Sequence, residues 1–209
     1  MNKAVESTGK NGKKQAILRA AWKMMCRYGF AKTTVSEIAG EAGIGKGTVY
    51  LYFDSKESIL IALVSETNRR ILDKLKSIAK SGISPKTKIV KMFLARALEI
   101  YDVVQANPHG EEVISSNKPA IVKSLDWLFA GQKELYGNVI REGNRLGIFS
   151  EKSPDKAAET LSTFSELLTP PYYGLKSRSQ VESFARNMLK HFISGISNDR
   201  QIESRKRRK

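Results

Sequence analysis

The chain has 209 residues, 41% hydrophobic and 27% charged, with 36 Lys and Arg against 21 Asp and Glu for a net charge of +15. That is enough apolar chain for one or two packed domains and excludes disorder. The basic excess makes a polyanion (DNA, RNA or an anionic membrane) the leading class of partner, with a merely basic soluble protein as the alternative. One cysteine, Cys26, excludes an intramolecular disulfide and a Cys-rich zinc site, and two histidines, His109 and His191, leave little for a metal cage. No apolar run is long enough to cross a bilayer, and the N-terminal segment has no apolar core of the secretory kind, so the cytoplasm is the expected location.

The charge is uneven. Residues 1–56 hold ten basic and four acidic side chains, residues 57–196 hold 20 and 15, and residues 197–209 hold six and two. A polyanion would meet the N-terminal quarter. The terminal run Arg205-Lys206-Arg207-Arg208-Lys209 is either a second contact or a solvated end, and the lack of an apolar residue after Ile202 favours the latter.

Helical periodicity runs along the whole chain, without sustained period-two alternation, and predicts an all-α fold of eight or nine helices. Ile17, Ala20, Ala21, Met24, Met25 and Tyr28 predict a helix over 13–28, stopped at Gly29. Thr34-Val35-Ser36-Glu37 has the form of a capping box and opens a short helix with Val35, Ile38, Ala39 and Ala42 inward. Gly43 suits the position just past its end, where φ is positive. A second short helix is expected over 45–52. Asp54-Ser55-Lys56-Glu57, a cap with an acid at its third helical position, opens a long helix striped by Leu60, Leu63, Val64, Thr67, Ile71, Leu75 and Ile78.

Ser84-Pro85 starts the next helix, 85–106, apolar on two faces and so central to a core. A short helix at 110–116 precedes a long one from Pro119 to 146 through Leu125, Leu128, Leu135, Val139 and Leu146. Ser153-Pro154 starts another, to 169, and Ser179-Gln180-Val181-Glu182, a third capping box, opens the last, to Gly195.

The stretch 33–57 is the most informative. Two short helices joined at Gly43-Ile44-Gly45 have the layout of a helix-turn-helix, whose second helix enters the DNA major groove. That helix starts with small residues and exposes Lys46, Thr48, Tyr50 and Leu51. Gly45 and Gly47 let its backbone and first amides approach a phosphate. Val49 and Phe53 point inward, with Met24, Met25, Ile38 and Ala39 as the expected core. A turn by itself is equally compatible with an ordinary helical corner.

The residues go further than a turn. Ile17-Leu18-Arg19-Ala20-Ala21, Gly29-Phe30, Thr33-Thr34, Ile38-Ala39, Ala42-Gly43, Lys46-Gly47-Thr48-Val49-Tyr50, Tyr52-Phe53 and Ser55-Lys56-Glu57 closely resemble the N-terminal domain of the TetR family of transcriptional regulators. Gly143, Gly147-Ile148-Phe149, Pro154 and Ala157-Ala158 are similar to that family's recurring glycine–phenylalanine–proline–alanine pattern.

The resemblance implies a homodimer, and no cofactor or metal is expected. Residues 1–56 would form a three-helix helix-turn-helix domain for a palindromic operator in double-stranded DNA. Residues 57–197 would form a larger helical domain for a small-molecule effector and for dimerisation, and 198–209 the basic tail. Thr34, Lys46, Gly47, Thr48, Tyr50, Leu51, Tyr52 and Lys56 fall on the family's DNA-contacting positions. Lys46 and Lys56 would neutralise phosphates, and Thr48 would bond a base edge or offer its methyl to a thymine. Tyr50 would bond a phosphate, with core packing as the alternative; for Tyr52 the two are even. Leu51 stands where a polar residue or His is common, which implies an apolar contact there.

The rest says less. Phe93, Tyr101 and Trp127 are the named effector-pocket candidates, because they sit mid-helix in the middle of the second domain; Arg96, His109, Asn117, Tyr136, Phe164, Tyr172 and Tyr173 are further polar and aromatic candidates. Arg96 would meet an anionic effector or pair with Glu99 or Asp102. His109, after a proline, should face solvent. Leu161, Phe164, Leu168, Phe184, Met188 and Phe192 on the last two helices would build a four-helix dimer interface, or else bury within one subunit. Repressor and activator are indistinguishable at this level. An enzyme is not expected, because no nucleophile set, phosphate loop, metal spacing or paired carboxylates appear. The competing reading is a helical small-molecule or lipid-binding interaction protein that does not regulate transcription.

Overall fold

The computed structural model describes residues 2–114, 123–169 and 177–198, with side chains from residue 11 onward. Asn117, Tyr172, Tyr173, the expected helix start at Pro119 and nearly all of the basic tail lie outside them. The described residues are all-helical: α1 (Asn2–Tyr28), α2 (Val35–Glu41), α3 (Lys46–Tyr50), α4 (Lys56–Lys80), α5 (Pro85–Gln105), α6 (Gly110–Ile114), α7 (Asp126–Arg145), α8 (Pro154–Glu166) and α9 (Arg178–Ile196). Extended pairing among them is confined to one isolated bridge, Phe149 with Ser197. No helix among them is long and apolar enough to cross a membrane.

Several helix ends and caps differ from those the sequence predicts. α1 begins well before residue 13, because its first turns carry no apolar stripe for periodicity to detect. α4 is capped by Ser55 and Ser58, each accepting from the other's amide, rather than by an acid. A turn at Leu125 interrupts the helix expected through 119–146, and Leu146, beyond the end of α7, is exposed instead of completing the stripe. The cap of α9 is Ser177, whose hydroxyl accepts from Gln180 N, two residues before the expected Ser179; Glu182 instead pairs with Arg186.

The chain divides into two compact units, Met1–Asn68 with Val103–Leu125, and Arg69–Asp102 with Asp126–Lys209. In the first, Ile17, Ala21, Met25, Ile38, Val49, Ile59 and Val113 are buried to completion and tie α1, α2, α3, α4 and α6 to one core. Met24 and Tyr28 stand outside it: Met24 is half-buried, and Tyr28 is exposed beneath Arg27. The segment around α6 also grips the end of α1, with His109 N donating to Cys26 O (2.9 Å) and Phe30 N to Glu112 Oε1 (3.1 Å). His109 is thus anchored through its backbone while its ring stays partly exposed. Gly29 lies in this grip with φ +86°, and a Cβ there would crowd Glu112. Burial pushes the Cys26 thiol up to about 12, which keeps it a neutral core residue.

The second unit explains the glycine–phenylalanine–proline–alanine run. Phe149 is buried against Gly143, where any Cβ would overlap its ring, and Gly147 turns the chain back with φ +67°. Pro154 then occupies the first position of α8, and Ala157 and Ala158 are small enough to be buried.

Candidate nucleic-acid interface

The capping box at Thr34 forms in full. Thr34 Oγ1 accepts from Glu37 N, and Glu37 Oε2 accepts from both Thr34 N and Thr34 Oγ1 at 2.8 Å. α2 then ends in a paired closure: Ile44 N donates to Ala39 O (3.0 Å), and Gly43 N to Gly40 O (3.1 Å) with Gly43 at φ +68°. This is the Schellman arrangement, which needs a residue free to adopt a left-handed backbone. It sets the angle at which α3 leaves α2.

α3 is anchored from beneath by Val49, fully buried, and Phe53, nearly so. The outward residues are those the sequence singles out. Lys46 and Gly47 are exposed, Thr48 is half-buried, Tyr50 is 45% exposed and Leu51 is 79% exposed. Lys46 makes no ion pair among the described residues, so its charge is free for a phosphate. The exposure of Tyr50 removes core packing as its role. Tyr52 is half-buried against the core cluster and keeps both of its readings. Leu51, the cap residue just past α3, leaves its apolar side chain in solvent and available for an apolar contact.

Two assignments change. Lys56 Nζ donates to Phe30 O (2.7 Å), Thr33 O (2.8 Å) and Ala31 O (3.3 Å), and lies 4.4 Å from the centre of the Phe30 ring. An ammonium has three protons, and all three are engaged. Lys56 holds the α1–α2 loop to the start of α4 instead of presenting its charge to a phosphate. The Thr34 hydroxyl and amide are likewise committed to Glu37, and its carbonyl accepts from Ile38 N, which leaves its methyl for DNA.

The box has a pH consequence. Its hydrogen bonds from Thr34 hold the Glu37 carboxyl below the ordinary carboxylate range. With the folded value depressed, the contribution is present above the unfolded value of about 4.3 and is lost as pH falls through the folded one. Thr34→Ala should therefore lower the urea midpoint at neutral pH, and the difference from wild type should shrink as pH approaches about 3. A constant difference across that range would separate Thr34 from the Glu37 titration.

The effector-pocket candidates are not brought together. Phe93 and Tyr101 are buried on α5, whereas Trp127 is 40% exposed at the start of α7. Arg96 pairs with neither Glu99 nor Asp102, which are engaged by Lys74 and Arg178; its partner is Glu166, 70 residues on. Of the interface candidates, Leu161 and Leu168 are wholly buried in the single chain and have no surface to give a partner. Phe184 is 48% exposed, and Phe164, Met188 and Phe192 are half-buried. Leu167, which periodicity does not single out, is 64% exposed.

The sequence profile of the bacterial regulatory proteins of the tetR family matches residues 17–63, the span from the α1 core to the first turns of α4. Over these residues the chain matches the tetR family of bacterial regulatory proteins. Its similarity to family members extends over nearly the full length. The fatty acid metabolism regulator protein of Bacillus subtilis is 24% identical over 196 residues, covering 90% of this chain and 98% of that one. The transcriptional repressor KstR2 of Rhodococcus jostii is 23% identical, covering 93% and 96%. The crystal structure of the regulator FadR from Bacillus subtilis, in complex with stearoyl-CoA, superposes with a TM-score of 0.67 at 22% identity, covering 87% of this chain and 98% of that one. These similarities support a DNA-binding regulator of transcription rather than an enzyme.

Proposed function

We propose that the protein is a homodimeric repressor that binds a palindromic operator in double-stranded DNA and is released by a small-molecule effector in the cytoplasm. The observation that carries this is the outer face of α3. Lys46, Gly47, Thr48 and Tyr50 on the helix, and Leu51 at its cap, are presented outward by a segment fixed by buried Val49 and Phe53. Lys46 supplies sequence-independent affinity, Thr48 a base-edge contact, Tyr50 a phosphate contact, and Leu51 an apolar contact with a thymine methyl. Tyr52 supports this face from its edge. Repression and effector release are supported by the KstR2 relative and by the ligand held in the FadR neighbour. The effector would act in the second unit, where α5 and α7 carry Phe93, Tyr101 and Trp127. The chain of α4 runs through both units, so its displacement would move Ser55 and Lys56 with it.

The test is a gel shift over a salt series, on DNA flanking the gene and on scrambled DNA. Lys46→Ala should weaken binding to both and reduce the slope of log K on log salt by about one unit, the share of one phosphate contact. Thr48→Ala should instead relax preference at one symmetric pair of operator positions, by about 1–3 kcal/mol of discrimination. An unchanged slope in the first variant, or an equal loss on every sequence in the second, would remove that residue from its assigned contact. Absence of any salt-dependent DNA binding would overturn the reading.

A further inference from the structure

Between α5 and α9 the second unit has an open groove of about 460 Å³, a volume within the range of small-molecule sites. Its floor is apolar: Leu189 is buried, and Val90 and Ile193 are half-buried. Its rim is basic, with Lys86 from the first turn of α5 and Arg186 and Lys190 from α9. Ser194 and Ser197 complete the lining, which holds no carboxylate. Arg186 is held by Glu182, one turn back on its own helix (2.6 Å). Lys86 and Lys190 make no ion pair among the described residues. The Ser197 hydroxyl donates to Ile193 O (2.6 Å), whereas that of Ser194 has no partner among the described residues. Like charges gathered round one groove repel one another, so this lining is complete only with an anion in it.

The groove is separate from the apolar stripe of Phe184 and Met188. At about 3.6 residues per turn, Arg186 and Ile193 stand on the side of α9 opposite Phe184, so a partner seated on that stripe leaves the groove open. A solvated basic face would account for the lysines alone. It does not account for an apolar floor between cations carried by two different helices. The free donors are two ammoniums and a hydroxyl. A phosphate offers acceptor oxygens in several directions at once and meets lysine as a point charge, whereas a carboxylate spreads its acceptors in one plane. The floor of Val90, Leu189 and Ile193 suits an alkyl chain.

We infer that the groove between α5 and α9 is a binding site for a small anionic amphiphile, a phosphate monoester on an alkyl chain. Lys86 and Lys190 neutralise the phosphate from the two helices, and Ser194 donates to it. The chain lies on Val90, Leu189 and Ile193. A ligand held in this way ties the start of α5 to the last turns of α9 and relieves the repulsion between their cations. The site asks nothing of the DNA-reading face and stands or falls apart from it.

The test uses the full chain and three probes, octyl phosphate, 1-octanol and inorganic phosphate, titrated calorimetrically at low salt and below the micelle concentration. Octyl phosphate should bind wild type, and the other two at least about tenfold more weakly, because each supplies one half of the contact. Lys86→Gln and Lys190→Gln should each weaken octyl phosphate about fivefold, the share of one surface ion pair, and the double variant about twentyfold. Lys152→Gln removes the same charge from an exposed position outside the groove and should leave the affinity unchanged. The ligand-free lysine variants should melt at or above wild type, because each loses a repulsive charge, and octyl phosphate should raise the midpoint of wild type more than theirs. The site is overturned if octyl phosphate does not bind. It is overturned if inorganic phosphate or octanol matches it, since the surface would then hold any anion or any alkyl chain. It is overturned too if the double variant keeps its affinity, or if Lys152→Gln weakens binding as much as the groove variants do, since net charge and not the groove would then be the cause.

Discussion

Phe184→Glu is expected to turn the protein into monomers that bind a palindromic operator about a hundredfold or more weakly, with the N-terminal unit still folded. The expectation starts from a side chain the single chain leaves half in water. Phe184, Met188 and Phe192 recur every fourth residue on α9, and Leu167, just past the end of α8, is more exposed still. A two-fold interface is the simplest cover for such a stripe. A carboxylate at its most exposed point would face its symmetry mate across a desolvated contact, yet would cost the isolated subunit little. Phe192 is the poorer site for this test, because it is half-buried in its own chain and a charge there would disturb the fold as well. The affinity loss follows from geometry: two recognition helices must reach half-sites about 34–36 Å apart, and an unlinked half-site gives up the effective concentration that joins the two. Sedimentation gives the mass and circular dichroism the fold. A dimer of normal mass in Phe184→Glu would place the interface on another surface.

The local rules of the DNA-contacting segment are legible in the sequence, and the distant partners are not. Thr34 with Glu37, Gly43 and Gly29 each obey a rule spanning no more than a few residues, so the residues themselves declare how α2 turns into α3. The same is true of Val49 and Phe53, whose spacing marks them as inward. Leu161 and Leu168 satisfy the same apolar periodicity as Phe184, and periodicity cannot say whether an apolar stripe is covered by its own chain or by another. It likewise does not mark Leu167, which falls where α8 ends and the helical repeat no longer applies. Trp127 sits one residue into a helix that the turn at Leu125 starts late, so a position that spacing makes central lies at a surface. Arg96 stands out on an apolar helix. Its partner is 70 residues away, and no local spacing encodes that pairing.

Lys56→Met should lower stability by about 2 kcal/mol and weaken DNA binding while leaving its salt slope unchanged. Position in the helix-turn-helix segment makes this lysine a phosphate contact, and its removal would then reduce the slope by about one unit, like that of Lys46. The structure turns the expectation round. The ammonium donates to three carbonyls of the loop from Phe30 to Thr33 and lies over the Phe30 ring, with no proton left for a phosphate. Methionine keeps much of the stem and its packing but removes the charge and all three bonds. The freed carbonyls of Phe30 and Ala31 lie at or near the surface and can turn to water, whereas Thr33 is buried, so the loss stays below the sum of three charged hydrogen bonds. What loosens is the loop between Gly29, Thr33 and the capping box at Thr34, and with it the orientation of α2 and α3 against α4. Affinity should fall through disorder of the reading head, equally at every salt concentration. Lys56→Arg should rescue only in part, since a planar guanidinium does not reproduce three donors converging from one nitrogen. Urea denaturation followed with a salt series on the operator decides the matter. A reduced slope at unchanged stability would return Lys56 to the phosphate backbone.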